Sequence, residues 1–224
     1  MESIILSWSG GKDSALALDR LRSDPDVRVV ALVTSVTTTY DRVSIHGVRR
    51  SLLHAQASAL GLPVHEIVLE PNCTNEAYDA AMARTLTRMK SLYPDVRRIA
   101  YGDLFLEDVR RYREERLPSL GFTGAFPIWG LDTATLAREF VERGFEARLV
   151  CVDTTQLDGR FAGRAFDHAL LDELPAGVDP CGERGEFHTF VWSGPGFRHA
   201  IPHTVGEIVL REERFVYCDL VPTT

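Results

Sequence analysis

Lysine is almost absent from this chain: of 25 Lys+Arg, only Lys12 and Lys90 are lysines. A lysine placed inside a motif therefore stands out as a choice of a compact, flexible ammonium. Positive charge is also outnumbered, with 32 Asp+Glu and a formal net charge of −7; the isoelectric point is about 5.5. That balance argues against general nucleic-acid binding, which needs a basic face. Cysteine is scarce and scattered. Cys73, Cys151, Cys181 and Cys218 form no CxxC pair, so a zinc or iron–sulfur site built on that pair is not expected. Nor is a disulfide framework, and most of the four read as small core residues. Long apolar runs are missing too. The six-residue strand-like run near the start follows Glu2 and is too short for a signal-peptide core, and no stretch could span a bilayer. The expected location is cytoplasmic.

What is present is an ordinary globular balance: 224 residues, 45% hydrophobic and 25% charged. That is enough for one large domain, or a medium one with a smaller partner. Strand-like segments at 4–8, 27–33, 64–69, 98–101 and 125–129 alternate with helix-like segments at 12–22, 47–60, 74–91 and 107–120. Strands without polar alternation suit a parallel sheet buried on both faces, and repeated βα units predict a doubly wound α/β arrangement. The polar, threonine-rich stretch 35–45 reads as a long loop. After Gly130 the pattern changes: a helix at 133–143, a strand at 145–152, then glycine- and proline-punctuated short strands at 187–192, 208–211 and 215–219. The expected division is residues 1–130 and residues 131–224, closely packed, since no linker separates them.

The chemistry begins at Ser3-Ile4-Ile5-Leu6-Ser7-Trp8-Ser9-Gly10-Gly11-Lys12-Asp13-Ser14, an apolar strand that empties into a glycine turn opening a helix. Gly10 and Gly11 let the backbone approach a ligand with no Cβ in the way. N–H groups of the turn and first helical residues converge there, and the helix dipole adds positive potential. Ser9 and Ser14 add hydroxyls, Lys12 a point charge: a phosphate cradle. It is not the GxxxxGK[ST] loop, whose first glycine would fall on Leu6 and whose hydroxyl residue would fall on Asp13. A glycine turn that only joins strand to helix is the plain alternative. One of two lysines in the chain sitting inside it favours function.

Two further segments carry chemistry. Tyr101-Gly102-Asp103 ends the fourth predicted strand. Ligands collect outside the carboxyl ends of strands where strand order reverses, so Asp103 is placed to hold Mg²⁺ or a ribose hydroxyl, or simply to cap the next helix. Asp179-Pro180-Cys181-Gly182-Glu183-Arg184-Gly185-Glu186-Phe187-His188-Thr189-Phe190 puts two glutamates on a glycine-punctuated turn before a strand. Glu183 and Glu186 suit a substrate ammonium, a metal or general-base work. Ordinary surface acids on a hairpin would explain the charges but not Phe187 and Phe190 beside them.

Ser9–Ser14 is similar to the SGGxDS loop of the ATP pyrophosphatases. With Gly102-Asp103, Pro127-Ile128-Trp129-Gly130, Asp158-Gly159-Arg160-Phe161-Ala162-Gly163-Arg164 and Cys181–Phe187, the motifs run in order over nearly the whole chain. Together they resemble the diphthine–ammonia ligase family of PP-loop ATP pyrophosphatases. The resemblance implies a Rossmann-like (HUP-type) ATP domain and a smaller C-terminal α+β domain closing the substrate site. It implies ATP and Mg²⁺, and an AMP-forming amide ligation: ATP adenylates a carboxylate, pyrophosphate leaves and ammonia displaces AMP. By position, Ser9, Gly10, Gly11, Lys12, Asp13 and Ser14 would take the pyrophosphate, and Gly102 and Asp103 would line the nucleotide site. Asp13 and Asp103 would hold the metal. The catalytic set is then Lys12, Asp13, Asp103, Glu183 and Glu186, with the two glutamates handling the acceptor or ammonia.

The implied partners are ammonia and a small-molecule or protein-borne carboxylate, with no membrane and a homodimer as one assembly open to it. Arg184 and His188 differ from the family pattern in ways that bear on the acceptor. Phe105-Leu106-Glu107-Asp108-Val109-Arg110 and the 35–46 stretch look more like the bacterial branch.

Rival readings are a PP-loop tRNA-modifying or sulfur-transfer enzyme, which generally wants a basic surface or paired cysteines, and a nucleotide-binding sensor, which needs no second acidic site. Arg110, Arg111, Arg113 and Arg116 resemble a basic patch, but Arg110–Glu114 and Arg111–Glu115 are i,i+4 partners, so a solvated, self-neutralised helix face is expected. His46 is placed at a helix start, within reach of adenine or acceptor. Trp129 is read as core.

Overall fold

A computed structural model describes residues 1–223. The first half alternates strand and helix: β1 (Glu2–Ser7), α1 (Lys12–Ser23), β2 (Val27–Thr37), β3 (Arg42–Val43), α2 (Arg50–Leu60), β4 (Val64–Leu69), α3 (Asn75–Leu92), β5 (Arg98–Ala100), α4 (Glu107–Arg116) and β6 (Thr123–Ala125). The second half holds α5 (Thr133–Glu142), β7 (Glu146–Asp153), α6 (His168–Glu173), β8 (Phe187–Ser193), β9 (His203–Arg211) and β10 (Phe215–Pro222). The fold is α/β: a parallel Rossmann-like sheet followed by an antiparallel one.

In the first sheet β1 lies between β2 and β5, β6 lies outside β5, and β4 pairs with the other edge of β2, all parallel. The chain runs outward from β1 through β2 to β4, then returns to β5. Strand order therefore reverses between β1 and β5, and the segments that follow these two strands meet there. Ile4, Ile5 and Leu6 are all fully buried. Ile5 packs with Ile99, Met82 and Met89 on the α3 side. Ile4 and Leu6 face Leu16 of α1 and Leu53 of α2, in a cluster that continues to Phe187, Phe190 and Val191 of β8. Two covered faces explain why β1 shows no polar alternation.

Stretch 35–45 is not a loop throughout. β2, rich in β-branched residues, continues to Thr37; a 3₁₀ turn (Thr38–Tyr40) then leads into β3, antiparallel to it. Val36 pairs with Val68 on one side and Val43 on the other. β3 thus occupies the edge of β2 that β1 has vacated, and carries the chain over the carboxyl end of β1.

Other boundaries also move. α2 begins at Arg50 rather than 47, because Gly47 is left-handed (φ 69°). The helix predicted to reach 120 ends at Arg116, and Pro118, lacking an N–H, opens a short 3₁₀ turn instead. The predicted strand 125–129 is displaced to Thr123–Ala125, and Phe126–Trp129 turns away ahead of and around Pro127.

The second sheet runs β8-β7-β10-β9, antiparallel throughout. β8 docks on the first sheet's glycine turn: the Val191 N–H donates to Gly10 O at 2.9 Å.

Candidate functional site

The glycine turn is held from three directions. Trp8 N–H continues the β1–β2 ladder, donating to Val33 O at 2.8 Å. Gly10 has φ 82°, and a Cβ there would lie 2.7 Å from Gln56 Oε1. The fully buried Gln56 accepts from Trp8 Nε1 (2.9 Å) and donates to Gly10 O (2.9 Å) and Val191 O (2.7 Å). Part of the donor set is already used: Gly11 N–H faces Ser9 Oγ at 3.3 Å, and Lys12 N–H donates to Thr189 Oγ1 at 3.0 Å. Ser14 Oγ donates to Gly11 O at 2.8 Å. Gly11 caps α1 without a side chain, so no capping group competes for the remaining first-turn N–H groups.

Gly102 presses against this turn. A Cβ there would sit 2.8 Å from the Asp13 carbonyl carbon and 3.0 Å from Ser14 N. The loop after β5 therefore reaches the cradle only because residue 102 is glycine.

Lys12 does not point into an open cradle. The residue is 2% exposed; its ammonium bonds Asp13 Oδ2 at 2.9 Å and the Cys181 carbonyl, and lies 5.3 Å from the Phe187 ring centre. Burial disfavours the charge, but Asp13 and the acidic turn outweigh it and raise the Lys12 pKa. Burial raises the Asp13 carboxyl against the pull of Lys12. Asp13 Oδ1 is buried without a hydrogen-bond partner. A hard, anionic oxygen with no partner, beside first-turn N–H groups, fits Mg²⁺, which commonly takes one or two carboxylates plus substrate phosphates.

Asp103 does not offer the same. Arg113 Nε and Nη2 hold Asp103 Oδ2 and Oδ1 at 2.6 and 3.0 Å, with the guanidinium stacked 4.0 Å from the Tyr101 ring centre. The expectation of a self-neutralised α4 face needs correction here. Arg110–Glu114 is present at 2.8 Å, but Arg113 turns inward to Asp103 and Arg116 pairs with Asp79. Arg110 also lies 4.7 Å from both the Phe126 and Trp129 ring centres, so Trp129 is half-exposed wall rather than core.

The acidic turn separates the two glutamates that were both expected to handle the acceptor or ammonia. Glu186 is buried, and its oxygens accept the N–H groups of Asp179 (2.9 Å) and Arg184 (3.0 Å). The buried Asp179 accepts from Glu183 N at 2.9 Å. These two carboxylates build the turn. Glu183 leaves it: Oε1 accepts the Leu104 N–H at 2.7 Å, next to Gly102-Asp103. Burial, with smaller repulsion from Asp13 and Asp103, raises its carboxyl to about 7. Leu104 O in turn accepts from Gly130 N at 2.8 Å, which brings in the Pro127–Gly130 segment. Arg184 faces outward, 5.7 Å from the Phe105 ring centre.

Sequence reading missed Gln56 and Thr189. Gln56 had a signal: it is the one amide on the apolar α2 face of Leu52, Leu53, Ala57 and Leu60. Thr189 had none, since its role depends on β8 docking. His46 lies ahead of α2 rather than at its first turn, and its ring centre is 4.6 Å from that of His188. Among the described residues, no cluster of three or more His, Cys, Asp and Glu forms a ready-made metal site. No described helix is long and apolar enough to cross a membrane.

The diphthamide synthase N-terminal domain model matches residues 1–121, and the diphthamide synthase C-terminal domain model matches residues 132–218. The chain is also 25% identical over 218 residues to a diphthine–ammonia ligase of Schizosaccharomyces pombe, covering 90% of this chain and 36% of that protein. The chain thus spans about a third of that relative's length.

Proposed function

Because this chain belongs to the diphthamide synthase family, we propose that it is an ATP-dependent, AMP- and pyrophosphate-forming carboxylate–ammonia ligase. Its substrates are MgATP, ammonia and a carboxylate acceptor. The observation that carries this reading is the meeting of three distant motifs. Gly102 packs on the Asp13–Ser14 peptide, Lys12 bonds the Cys181 carbonyl, and Glu183 takes the Leu104 N–H. A cradle that only bound a nucleotide has no need of a carboxylate delivered from another domain.

In this reading the α1 first turn orients the β,γ-phosphates of ATP, and Asp13 Oδ1 would hold Mg²⁺, which when bound would supply positive charge to offset that of the leaving pyrophosphate. The acceptor carboxylate attacks the α-phosphorus and pyrophosphate departs. Ammonia then attacks the acyl carbon, AMP leaves with the bonding electron pair, and the nitrogen gives up a proton to Glu183. A carboxylate with a pKa near neutrality suits that transfer. Glu186 and Asp179 position Glu183 through the turn backbone. Sulfur transfer is disfavoured because burial pushes the Cys151 thiol up to about 12 and Cys181 higher still.

The test is product analysis of purified protein with MgATP, ammonium chloride and a panel of carboxylates. AMP and pyrophosphate that appear only with acceptor and ammonia are expected. ADP and inorganic phosphate as the products would overturn the reading.

A further inference from the structure

The β3 extension places one side chain over the cradle. Ser44 N–H donates to Ser35 O at 3.0 Å, and Asp219 of β10 grips Arg42 (2.6 Å) and Arg49 (2.6 and 3.1 Å) on either side of the following turn. A Cβ on Gly47 would lie 2.7 Å from the Tyr217 ring, so that turn sits flush on β10. The pinned segment holds the His46 ring with Cε1 3.1 Å from where a Gly11 Cβ would be. His46 Nδ1 lies 3.2 Å from Thr189 O. A carbonyl only accepts, so Nδ1 carries the hydrogen and Nε2 has no protein partner among the described residues. The half-buried His188 ring likewise makes no hydrogen bond among them.

Charge at the cradle is short. Lys12 is spent on Asp13 and Cys181, and Arg113 on Asp103. Two of the backbone donors already have partners. A polyphosphate bound at the α1 terminus needs donors that are not engaged elsewhere, and the His46 ring against Gly11, with His188 beside it, supplies them.

We propose that His46 and His188 form an imidazole pair that receives the polyphosphate of MgATP and takes up a proton from solvent as the anion binds. The inference rests on the ATP-using reading above and assigns it two residues. In the free protein both rings are neutral. Burial first, then Lys12, lowers His46 to about 4 against the help of Thr189 O; burial, His46 and Lys12 lower His188 well below the usual imidazole value. The groups facing the pair are Lys12 from α1, each ring from the other, and, toward β10, Tyr217 with the Arg42–Arg49–Asp219 cluster, whose two guanidiniums share one carboxylate and leave it net positive. No unpaired carboxylate among them would charge the imidazoles beforehand. An arriving polyanion reverses the balance, and Nε2 of His46 becomes a charged donor. Two imidazoliums with ring centres 4.6 Å apart repel, so the pair takes up about one proton rather than two. That proton returns to solvent when pyrophosphate leaves.

The experiment is calorimetric binding of MgATP and, separately, of magnesium pyrophosphate, in buffers of different ionisation enthalpy. Wild type is compared with His46→Gln, His188→Gln and the double variant, each checked for an unchanged melting transition. Wild type is expected to bind both ligands with uptake of about one proton at about pH 7. The double variant is expected to lose that uptake and bind at least about tenfold more weakly. From about pH 8 to about pH 6 the wild-type affinity rises more steeply than the double variant's. Equal affinity and equal proton uptake in a folded double variant would overturn the inference. If wild type binds neither ligand, the ATP-using reading itself fails. Should one folded single variant abolish binding on its own, that ring is the receptor and the pair is rejected.

Discussion

The Leu104 backbone N–H donates to Glu183 Oε1 at 2.7 Å, across a separation of 79 residues. This bond joins the loop after β5 to the turn before β8, and leaves Glu183 as the only carboxylate of that turn directed at the cradle side.

Glu183 has a pH signature. Its folded-state pKa of about 7 lies above the ordinary 4.5 because burial penalises the charge. The folded protein thus holds a proton that the unfolded chain releases, and stability falls as pH rises from 4.5 to about 7. Glu183→Gln should flatten that window, raising the melting temperature relative to wild type above neutrality but not near pH 5. MgATP affinity should be unchanged and acceptor-dependent AMP formation lost. A variant whose stability tracks wild type across the whole range would remove Glu183 as the titrating group.

Glu186 should behave differently. Its two oxygens cap two backbone N–H groups in a buried turn, and an amide can accept only one of them. Glu186→Gln is expected to cost about 1–3 kcal/mol in chemical denaturation. Lost turnover at wild-type stability would instead place Glu186 in the chemistry.

Gln56→Leu keeps the volume but abandons three buried polar groups, Trp8 Nε1, Gly10 O and Val191 O. Destabilisation of about 2–4 kcal/mol is expected, and MgATP affinity should fall because the turn loses its anchor. Destabilisation below about 1 kcal/mol would mean that water restores those bonds.

Asp13→Asn addresses the metal. The amide oxygen can still face Lys12, but the partnerless anionic Oδ1 disappears. Affinity for MgATP should fall about tenfold or more, while ATP in excess EDTA binds wild type and variant alike. An unchanged response to Mg²⁺ would remove Asp13 as a ligand.

Residue order alone sets those parts of the fold that depend on neighbours in the chain. β1 is buried on both faces because Ile4, Ile5 and Leu6 leave no polar side. The strand-to-helix glycine turn and the order of the βα units follow from equally local patterns. Boundaries failed where one residue overrode a trend, as at Gly47 and Pro118. The site was legible as three motifs but not as an arrangement, because a side chain's direction depends on which distant group satisfies it. Lys12 reads as a phosphate ligand until the Cys181 carbonyl and Asp13 claim it. Glu183 and Glu186 read as a pair until backbone N–H groups take one of them. His46 and His188 lie 142 positions apart, and only the extension of β2 past β1, with β8 docked on the glycine turn, brings their rings together. Local pattern sets backbone form; which buried polar and charged groups find partners is decided only when the two sheets close on each other.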